Sequence, residues 1–480
     1  MAVKHENETV PVGKAKNQHE CRIHKTTIFF NADDIRREVC VSDIPFLKHS
    51  DGNYYCLFHL PTTDKDIVKF NEIFQIRLDE VKQRIADIEK LPEHQQEREK
   101  SKIFYNFRYV YFPSRVDFQD ACFSVAVSFK EATFSGPINF QSAKFLQNAE
   151  FRAASFLTEN DFSFTSFNGE VDFYKANFRT FANFYKSTFT KKADFTEVLF
   201  EEDANFKTTV FEKTSRAYFH RVNFKKIADF SYACIESYLS FEGNQNNEVF
   251  IAKDSLLNLQ KTRIADAKKV SFHSVRLESS WFINTDATDF IFTDCQWRYS
   301  GGKSINVTTE LKNLNSRVKN PNPLLTKACW QLADNHEESK SFIKSSLFRQ
   351  IAQESKRLKK PWYLQPFRLH WWYYASSFYG ERWQRALGVL AGILLIFTIY
   401  YCFALFQICP KNSTNNEGCV IRTMRLDEAV QHSLYTAAFQ NVEYRRTLTS
   451  QQDILILLEK IFAPLQAALL ALAIRRKFMR

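Results

Sequence analysis

From Phe118 to Phe211 the chain places a phenylalanine after five residues, then six, for seventeen unbroken steps. The series is Phe118, Phe123, Phe129, Phe134, Phe140, Phe145, Phe151, Phe156, Phe162, Phe167, Phe173, Phe178, Phe184, Phe189, Phe195, Phe200, Phe206 and Phe211. A helix buries every third or fourth position and a half-buried strand every second, so neither sets this beat. Two residues before these phenylalanines stand Ala121, Val127, Ala132, Ile138, Ala143, Ala149 and Ala154, and later Ala176, Ala182, Ser187 and Ala193. Residues two apart in extended backbone point the same way, so a small and a large side chain share one interior. The intervening Asp, Asn, Ser, Thr, Lys and Glu suit corners and a solvated exterior. The pattern predicts a repeat architecture, a narrow coil of short extended sides around a phenylalanine stack. After a two-residue insertion before Phe219 the beat resumes at Phe224, Phe230, Ile235 and Phe241. A five-residue run, Phe272, Leu277, Phe282, Ala287, Phe292 and Trp297, extends the rod to about residue 300, where "SGG" closes it.

The triplets "AEF" at 149–151, "ANF" at 176–178, "ADF" at 193–195 and "ANF" at 204–206 resemble the core of the pentapeptide-repeat family, A-(D/N)-(L/F)-x-x, in its phenylalanine-rich form. That resemblance implies a right-handed, four-sided β-helix with one repeat per side over residues 118–300. Two sides of five and two of six would make a 22-residue coil, stacking Phe140 on Phe162. Residues 118–241 then give about 5.6 coils and roughly 27 Å of rod at ~4.8 Å per coil. Some members of the family imitate duplex DNA with an acidic surface. Between Phe118 and Phe241 there are 15 acidic and 14 basic residues, so that role and a nucleic-acid partner are not expected. The expectation is a rigid scaffold or spacer that offers a surface to a protein partner; a ligand groove is the alternative.

Before the rod, Ile67, Phe70, Phe74, Leu78, Val81, Ile85 and Ile88 form one apolar stripe, predicting a long amphipathic helix within 65–102 that Pro92 interrupts. The stripe either packs on the first coil, as a terminal repeat requires, or pairs two copies as a coiled coil. Residues 1–64 contain "CRIH" at 21–24 and "CLFH" at 56–59. Cys21, His24, Cys56 and His59 are of the types that hold tetrahedral zinc, a structural staple for a segment poor in apolar residues. The bland alternative is ordinary buried thiols and histidines.

Beyond the rod, "NPLLTKACWQLADNHEESKSFIKSSLFRQIAQESKRLKK" predicts a helical pair over 322–360. Leu325, Ala328, Cys329 and Leu332 mark one inner face, Phe342, Ile343, Leu347 and Ile351 the other, with "ADNHEE" as the turn. The segment 361–385 carries Trp362, Trp371, Trp372 and Trp383 among tyrosines and arginines, the mixture found at lipid–water interfaces. Its end, "FYGERWQRAL" at 378–387, is similar to the stretch YGERPLRAL that precedes the spans of bacterial membrane-anchored pentapeptide-repeat proteins, with Trp383 and Gln384 in place of Pro and Leu.

Residues 386–409 are 24 residues without a charge, about 36 Å of helix, enough to cross a bilayer. A second apolar run occupies 454–474. The net charge of +11 concentrates before the first run, where Lys312–Arg385 holds 14 basic and 5 acidic residues, and "RRKFMR" follows the second. With a polar N-terminus and no secretory leader, this predicts a membrane protein with both termini cytoplasmic, and the resemblance implies a bacterial inner membrane. Between the runs lies a loop at 410–452, where Cys409 and Cys419 bracket a polar stretch and are candidates for a disulfide. Within that loop, "SLYTAAF" in the segment 427–440 resembles the pore helix of two-span, pore-loop ion channels, though the glycine-containing filter is replaced by "AAFQNVEY". Glu459 and Lys460 interrupt the second run. Glu459, Gln440, Asn441 and Glu443 are the polar pore candidates; alternatively the span begins after Lys460, bent at Pro464. No phosphate loop, nucleophile elbow or carboxylate pair appears, so no enzymatic activity is expected. The expected function is a cytosolic repeat rod, as sensor or scaffold, coupled to a pore. One hairpin cannot enclose a pore, so that reading requires a homo-oligomer in the lipid bilayer. The competing reading is a rod merely anchored at the membrane.

Overall fold

The computed structural model of the chain describes residues 47–243, 255–297, 307–315, 318–359, 362–364, 368–408, 419–440 and 445–478. They form two compact units, divided at Ser304 and Ile305.

The first unit is a four-sided β-solenoid of about eight turns. Its strands, most of them two residues long, assemble into four parallel sheets of nine, seven, seven and six strands, one per side. Through the regular part each strand pairs 22 residues onward: Phe123 with Phe145, Phe145 with Phe167, and Ala149 with Val171. Phe162 accordingly lies flat between Phe140 and Phe184, both ring centroids at 5.0 Å, and meets Phe151 edge-on at 5.6 Å. All eighteen phenylalanines of the regular series are buried.

The alternating beat comes from two kinds of corner. Every five-residue step contains a left-handed residue two places after its phenylalanine: Asp120, Glu131, Ser142, Ala153 and so on at intervals of eleven to Thr208. Across that corner the Phe140 carbonyl accepts the Ala143 N–H at 3.0 Å, and Phe151 accepts Ala154 likewise. A positive φ at the third position of such a loop defines a tight type II turn. Non-glycine residues held there cost roughly 1–2 kcal/mol each, which the stacked sides on either flank must offset. The six-residue corners lack this turn. Gly136 and Gly169 occupy two of them, where an added Cβ would lie 2.2 Å from the backbone of Ser114 and Gln147, one coil earlier.

The small inward column admits hydroxyls at Thr165, Ser187 and Thr209. Each donates to the carbonyl of a phenylalanine 25 residues earlier, at 2.8, 2.7 and 3.0 Å. On one side an Asn/Asp ladder runs along the surface: Asn139 bonds Asp117, Asn183 bonds Asp161, and Asn205 bonds Asn183, at 3.1, 2.9 and 3.0 Å. The two-residue insertion before Phe219 lengthens one step to 24 residues without breaking the stack, since Phe195 and Phe219 remain 4.7 Å apart.

The solenoid begins at Phe104, earlier than the expected 118, because Tyr111–Phe112 and Val116–Asp117 already pair with later coils. The preceding helical region is two helices, α1 (Ile67–Ile88) and α2 (Glu93–Lys100), separated at Pro92. Asp66 caps α1 by accepting the Lys69 N–H, and Phe70, Phe74, Leu78 and Ile85 are its buried stripe. Phe74 touches Phe107, Phe112 and Phe118 of the first coil. Beside it the buried Lys65 ammonium donates to the carbonyls of Leu57, at 2.9 Å, Phe58, at 3.2 Å, and Tyr111.

The second unit is helical: α3 (Val307–Asn315), α4 (Pro321–Glu338), α5 (Phe342–Leu358), α6 (Leu369–Ser377), α7 (Trp383–Phe403), α8 (Leu426–Ala437) and α9 (Ser450–Phe478). The α4–α5 pair differs from the sequence expectation in two ways. Helix α4 runs through "ADNHEE", and the turn is made at Lys340 with φ 57°. On α5 the inner face is Ser345, Phe348, Ile351 and Ala352, whereas Ile343 is 85% exposed. His336 completes this interface, stacked at 5.4 Å on Phe348.

Helices α7 and α9 are each long and apolar enough to cross a membrane. The first stops at Phe403, short of the expected 409. Leu405–Ile408 instead forms a strand, paired antiparallel with Val420–Thr423 and Arg445–Arg446, so the backbone groups beyond the helix end find partners. The second runs unbroken from Ser450 through Glu459, Lys460 and Pro464.

Two measurements probe this fold. Replacing Phe162 by Ala, at the centre of the stack, should destabilise the solenoid by roughly 3–5 kcal/mol, read as a lower denaturation midpoint. Burial, with Lys344 adding to it, pushes His336 down to about 4. The unfolded histidine therefore binds its proton first as pH falls, and the pair loses stability between about pH 6.5 and 4, by roughly 2–3 kcal/mol. Melting curves across that range should show the loss, and His336→Phe should flatten it.

Candidate functional site

The polar groups of the second unit collect at two places. The first is the interior of the α7–α8–α9 arrangement. Helix α8 is only twelve residues long, about 18 Å, too short to span a bilayer. Its first turn is fixed by Glu428, which bonds the Arg425 N–H at 3.0 Å and the Arg422 guanidinium at 2.7 and 2.8 Å. Those bonds, Arg422 foremost, hold the Glu428 carboxyl well below the usual carboxylate range.

Around the axis, α8 buries Ala429, His432, Ser433 and Thr436 and exposes Leu426, Val430, Leu434 and Tyr435. Three polar positions, His432, Ser433 and Thr436, thus face inward, and most of the large apolar ones face outward beside the exposed Asp427 and Gln431. Glu459 of α9 is fully buried against this inner face. Its Oε2 accepts the Tyr401 hydroxyl from α7 at 2.5 Å, and its Oε1 accepts the Ser433 hydroxyl from α8. Tyr401 packs with Phe406, Met424 and Ala429, and its ring lies edge-on to His432 at 4.7 Å.

Further along α9, Gln466 donates to the carbonyls of Ser376 and Ala386 at 3.1 and 2.8 Å. Within a single chain, Glu459 is therefore an interior tie between three helices and touches no open lumen. Gln440 is exposed just beyond α8, while Asn441 and Glu443 lie outside the described residues.

The second place is the junction between α6 and α7, the "FYGER" stretch. Phe378, Tyr379 and Gly380 are three consecutive left-handed residues, with φ of 53°, 61° and 74°. A Cβ at Gly380 would come within 2.8 Å of the Tyr373 hydroxyl and 3.1 Å of Arg476 Nη1. Two bulky aromatics in this conformation are costly and persist only where their surroundings fix them.

The surroundings do so. The buried Tyr379 donates its hydroxyl to Glu354 of α5 at 2.9 Å, and Glu354 also pairs with Arg357. Burial, together with the Glu354 charge, pushes the Tyr379 phenol up. Glu381 takes the Ser346 hydroxyl of α5 at 2.5 Å and pairs with Arg476 of α9 at 3.4 Å. Arg476 also donates to the Tyr379 carbonyl at 2.9 Å. One short loop thereby ties the α4–α5 pair, the start of α7 and the far end of α9. The motif was visible in the sequence; its partners Glu354, Ser346 and Arg476 were not.

In the first unit, Cys56 and His59 are both buried, with Sγ and Nδ1 3.1 Å apart and His59 Nε2 3.3 Å from the Arg108 carbonyl. Cys21 and His24 lie outside the described residues, among which no group of three or more His, Cys, Asp or Glu could hold a metal. Cys419 is disulfide-bonded, and Cys409 lies outside the described residues.

No curated protein and no solved structure matches the chain. Residues 184–234 match the family model for pentapeptide repeats, nine copies. Together with the four-sided solenoid that contains them, this match supports the pentapeptide-repeat family for the repeat segment.

Proposed function

We propose that this protein is a bacterial inner-membrane assembly. A cytosolic pentapeptide-repeat rod, serving as sensor or scaffold, is coupled in it to an oligomeric, ion-channel-like C-terminal pore. The observation that carries the reading is the arrangement of α8. A twelve-residue helix that turns His432, Ser433 and Thr436 onto two apolar helices, and Val430 and Leu434 outward, is inverted relative to a water-exposed surface helix. That inversion suits a helix enclosed by lipid or by neighbouring copies. Span, short inserted helix, span is the layout of two-span pore-loop channels, and closing a pore from such hairpins needs several copies.

The exposed apolar side chains of α7 and α9, among them Leu395, Ile396, Phe403, Leu457, Ile461 and Leu465, supply surface for lipid and for copies of the chain. The FYGER junction supports coupling, because it links the α4–α5 pair to the ends of both candidate spans. At the other end of the chain, α1 acts as the cover of the first coil. The membrane-anchored scaffold without conductance is the reading to which a monomeric, silent protein would return.

The direct test is full-length protein purified in detergent and reconstituted into a planar bilayer. The expected result is an oligomer giving discrete conductance steps; a monomer, or silence across a wide range of voltage, would remove the pore. Coupling has a separate readout. Glu381→Gln and Arg476→Gln should each change open probability with unitary conductance unaltered. The double variant should be non-additive by roughly 0.5–3 kcal/mol, the range for paired residues. Additive effects would show that the junction only holds the fold.

A further inference from the structure

We infer that Glu459 is a proton-binding site inside the membrane domain, and that its proton load sets how α8 is held between the two candidate spans. The inference deepens the reading above and rests on it only in taking α7 and α9 as spans.

The argument begins with charge. Glu459 is fully buried, in a helix apolar enough to cross a bilayer, and among the described residues no cation pairs with it. Lys460 is the adjacent helical position, and neighbouring positions on a helix do not face each other. An ionised carboxylate in such a place costs several kcal/mol of lost hydration. Two hydroxyl donors return about 1.5–3 kcal/mol each when the acceptor is charged. The opposing quantities are of similar size, so both the charged and the proton-loaded form are within reach.

Geometry favours a proton over a metal cation as the ligand. Both carboxylate oxygens already sit at hydrogen-bond distance from a hydroxyl, Oε2 from Tyr401 and Oε1 from Ser433. An ion would need both hydroxyls to turn away and further oxygens to replace them. A proton needs one hydroxyl to turn. When a hydronium ion gives its proton to Oε1 and leaves as water, the new O–H becomes a donor to Ser433 Oγ, and the serine hydrogen must find another acceptor. The Leu394 carbonyl lies 3.5 Å from Ser433 Oγ, so such an acceptor is present. The transfer exchanges one O–H bond of hydronium for one on the carboxyl, breaks no other covalent bond, and neutralises the carboxylate.

The consequence for α8 follows from the same bonds. In the charged form Glu459 accepts from α7 and α8 at once. In the loaded form the bond to Ser433 reverses and weakens from charged to neutral, loosening α8 from α9. The titratable neighbours on each packed element are Tyr401 on α7, His432 and the Arg422-paired Glu428 on α8, and Lys460 on α9 itself.

Infrared difference spectra of the full-length protein in lipid bilayers test the site without requiring current. Between acid and alkaline buffer, a carboxylic C=O band should appear on the acid side. That band should be lost in Glu459→Gln, which keeps the shape and the hydrogen-bonding capacity of the side chain. In Tyr401→Phe the band should remain but shift, because one donor to the same carboxyl is gone. A band that survives intact in Glu459→Gln, or no band at any pH from about 4 to 9, would overturn the inference. If the glutamine variant fails to fold, the tyrosine variant decides: an unshifted band overturns the assignment. A protein that shows the band yet passes no current would sink the pore while leaving the proton site standing.

Discussion

A flat phenylalanine ring needs another ring about 5 Å above it to exclude water from both faces, and a β-ladder offers its next rung at nearly that distance. The solenoid is built on this coincidence. Each ring lies against the ring one coil away, as in Phe156 and Phe178 at 4.5 Å and 3°, while rings from neighbouring sides meet it edge-on. Corner geometry follows from the requirement. Sides must return each phenylalanine to the same column, so the chain accepts a left-handed residue at every second corner in place of an extra residue. The Asn/Asp ladder and the inward hydroxyls are satisfied within the same frame, by carbonyls and amides a coil away. Tolerance is equally explained. Insertion of two residues at the surface before Phe219 leaves the stack intact because only the columns, and not the corners, are fixed by packing.

This constraint made the solenoid legible in the sequence. A recurrent large residue with a small one two places before it reports directly on an interior that admits one ring per side, and each coil repeats the message. Where the repetition is absent the legibility fails. Phe107, Phe112 and Phe118 already keep the five–six beat, yet the first coil is short of repeats and adjoins a helical stripe of phenylalanines with a different period. On α5 the apolar residues Phe342, Ile343, Leu347 and Ile351 suggested an inner face; Ile351 lies on it, but Phe348 and the small Ser345 and Ala352 form the rest. The reason is that α4 presents Ala328, Ala333 and the ring of His336, and close approach selects small partners and one stacking aromatic.

The pair of long apolar helices was partly legible. Length and apolarity identify α7 and α9 because every residue of a long apolar run gives the same signal. The strand Leu405–Ile408 was absorbed into that run, since "LFQI" is as apolar as the helix before it and only pairing with Val420–Thr423 distinguishes the two. Glu459 stood out as a charge in an apolar run, but what it touches did not. Tyr401 lies 58 residues away and Ser433 26, and neither carries a local mark. Tertiary polar partners are set by packing, which a periodicity cannot express.

Both polar clusters of the helical unit obey one rule, that a buried charge or backbone group must be answered by a partner from another element. At the FYGER junction the answering groups come from α5 and α9. Their combined hold lets two aromatics stay in a left-handed backbone that neither would adopt alone. Around Glu459 they come from α7 and α8, and here every partner is a neutral hydroxyl. The Glu381–Arg476 pair joins opposite charges on two elements. Around Glu459 each hydroxyl can donate or accept, so its bonds can follow a proton. On the proposed reading the two clusters suit different work: the charged one to transmitting a displacement rigidly, the neutral one to changing state in place.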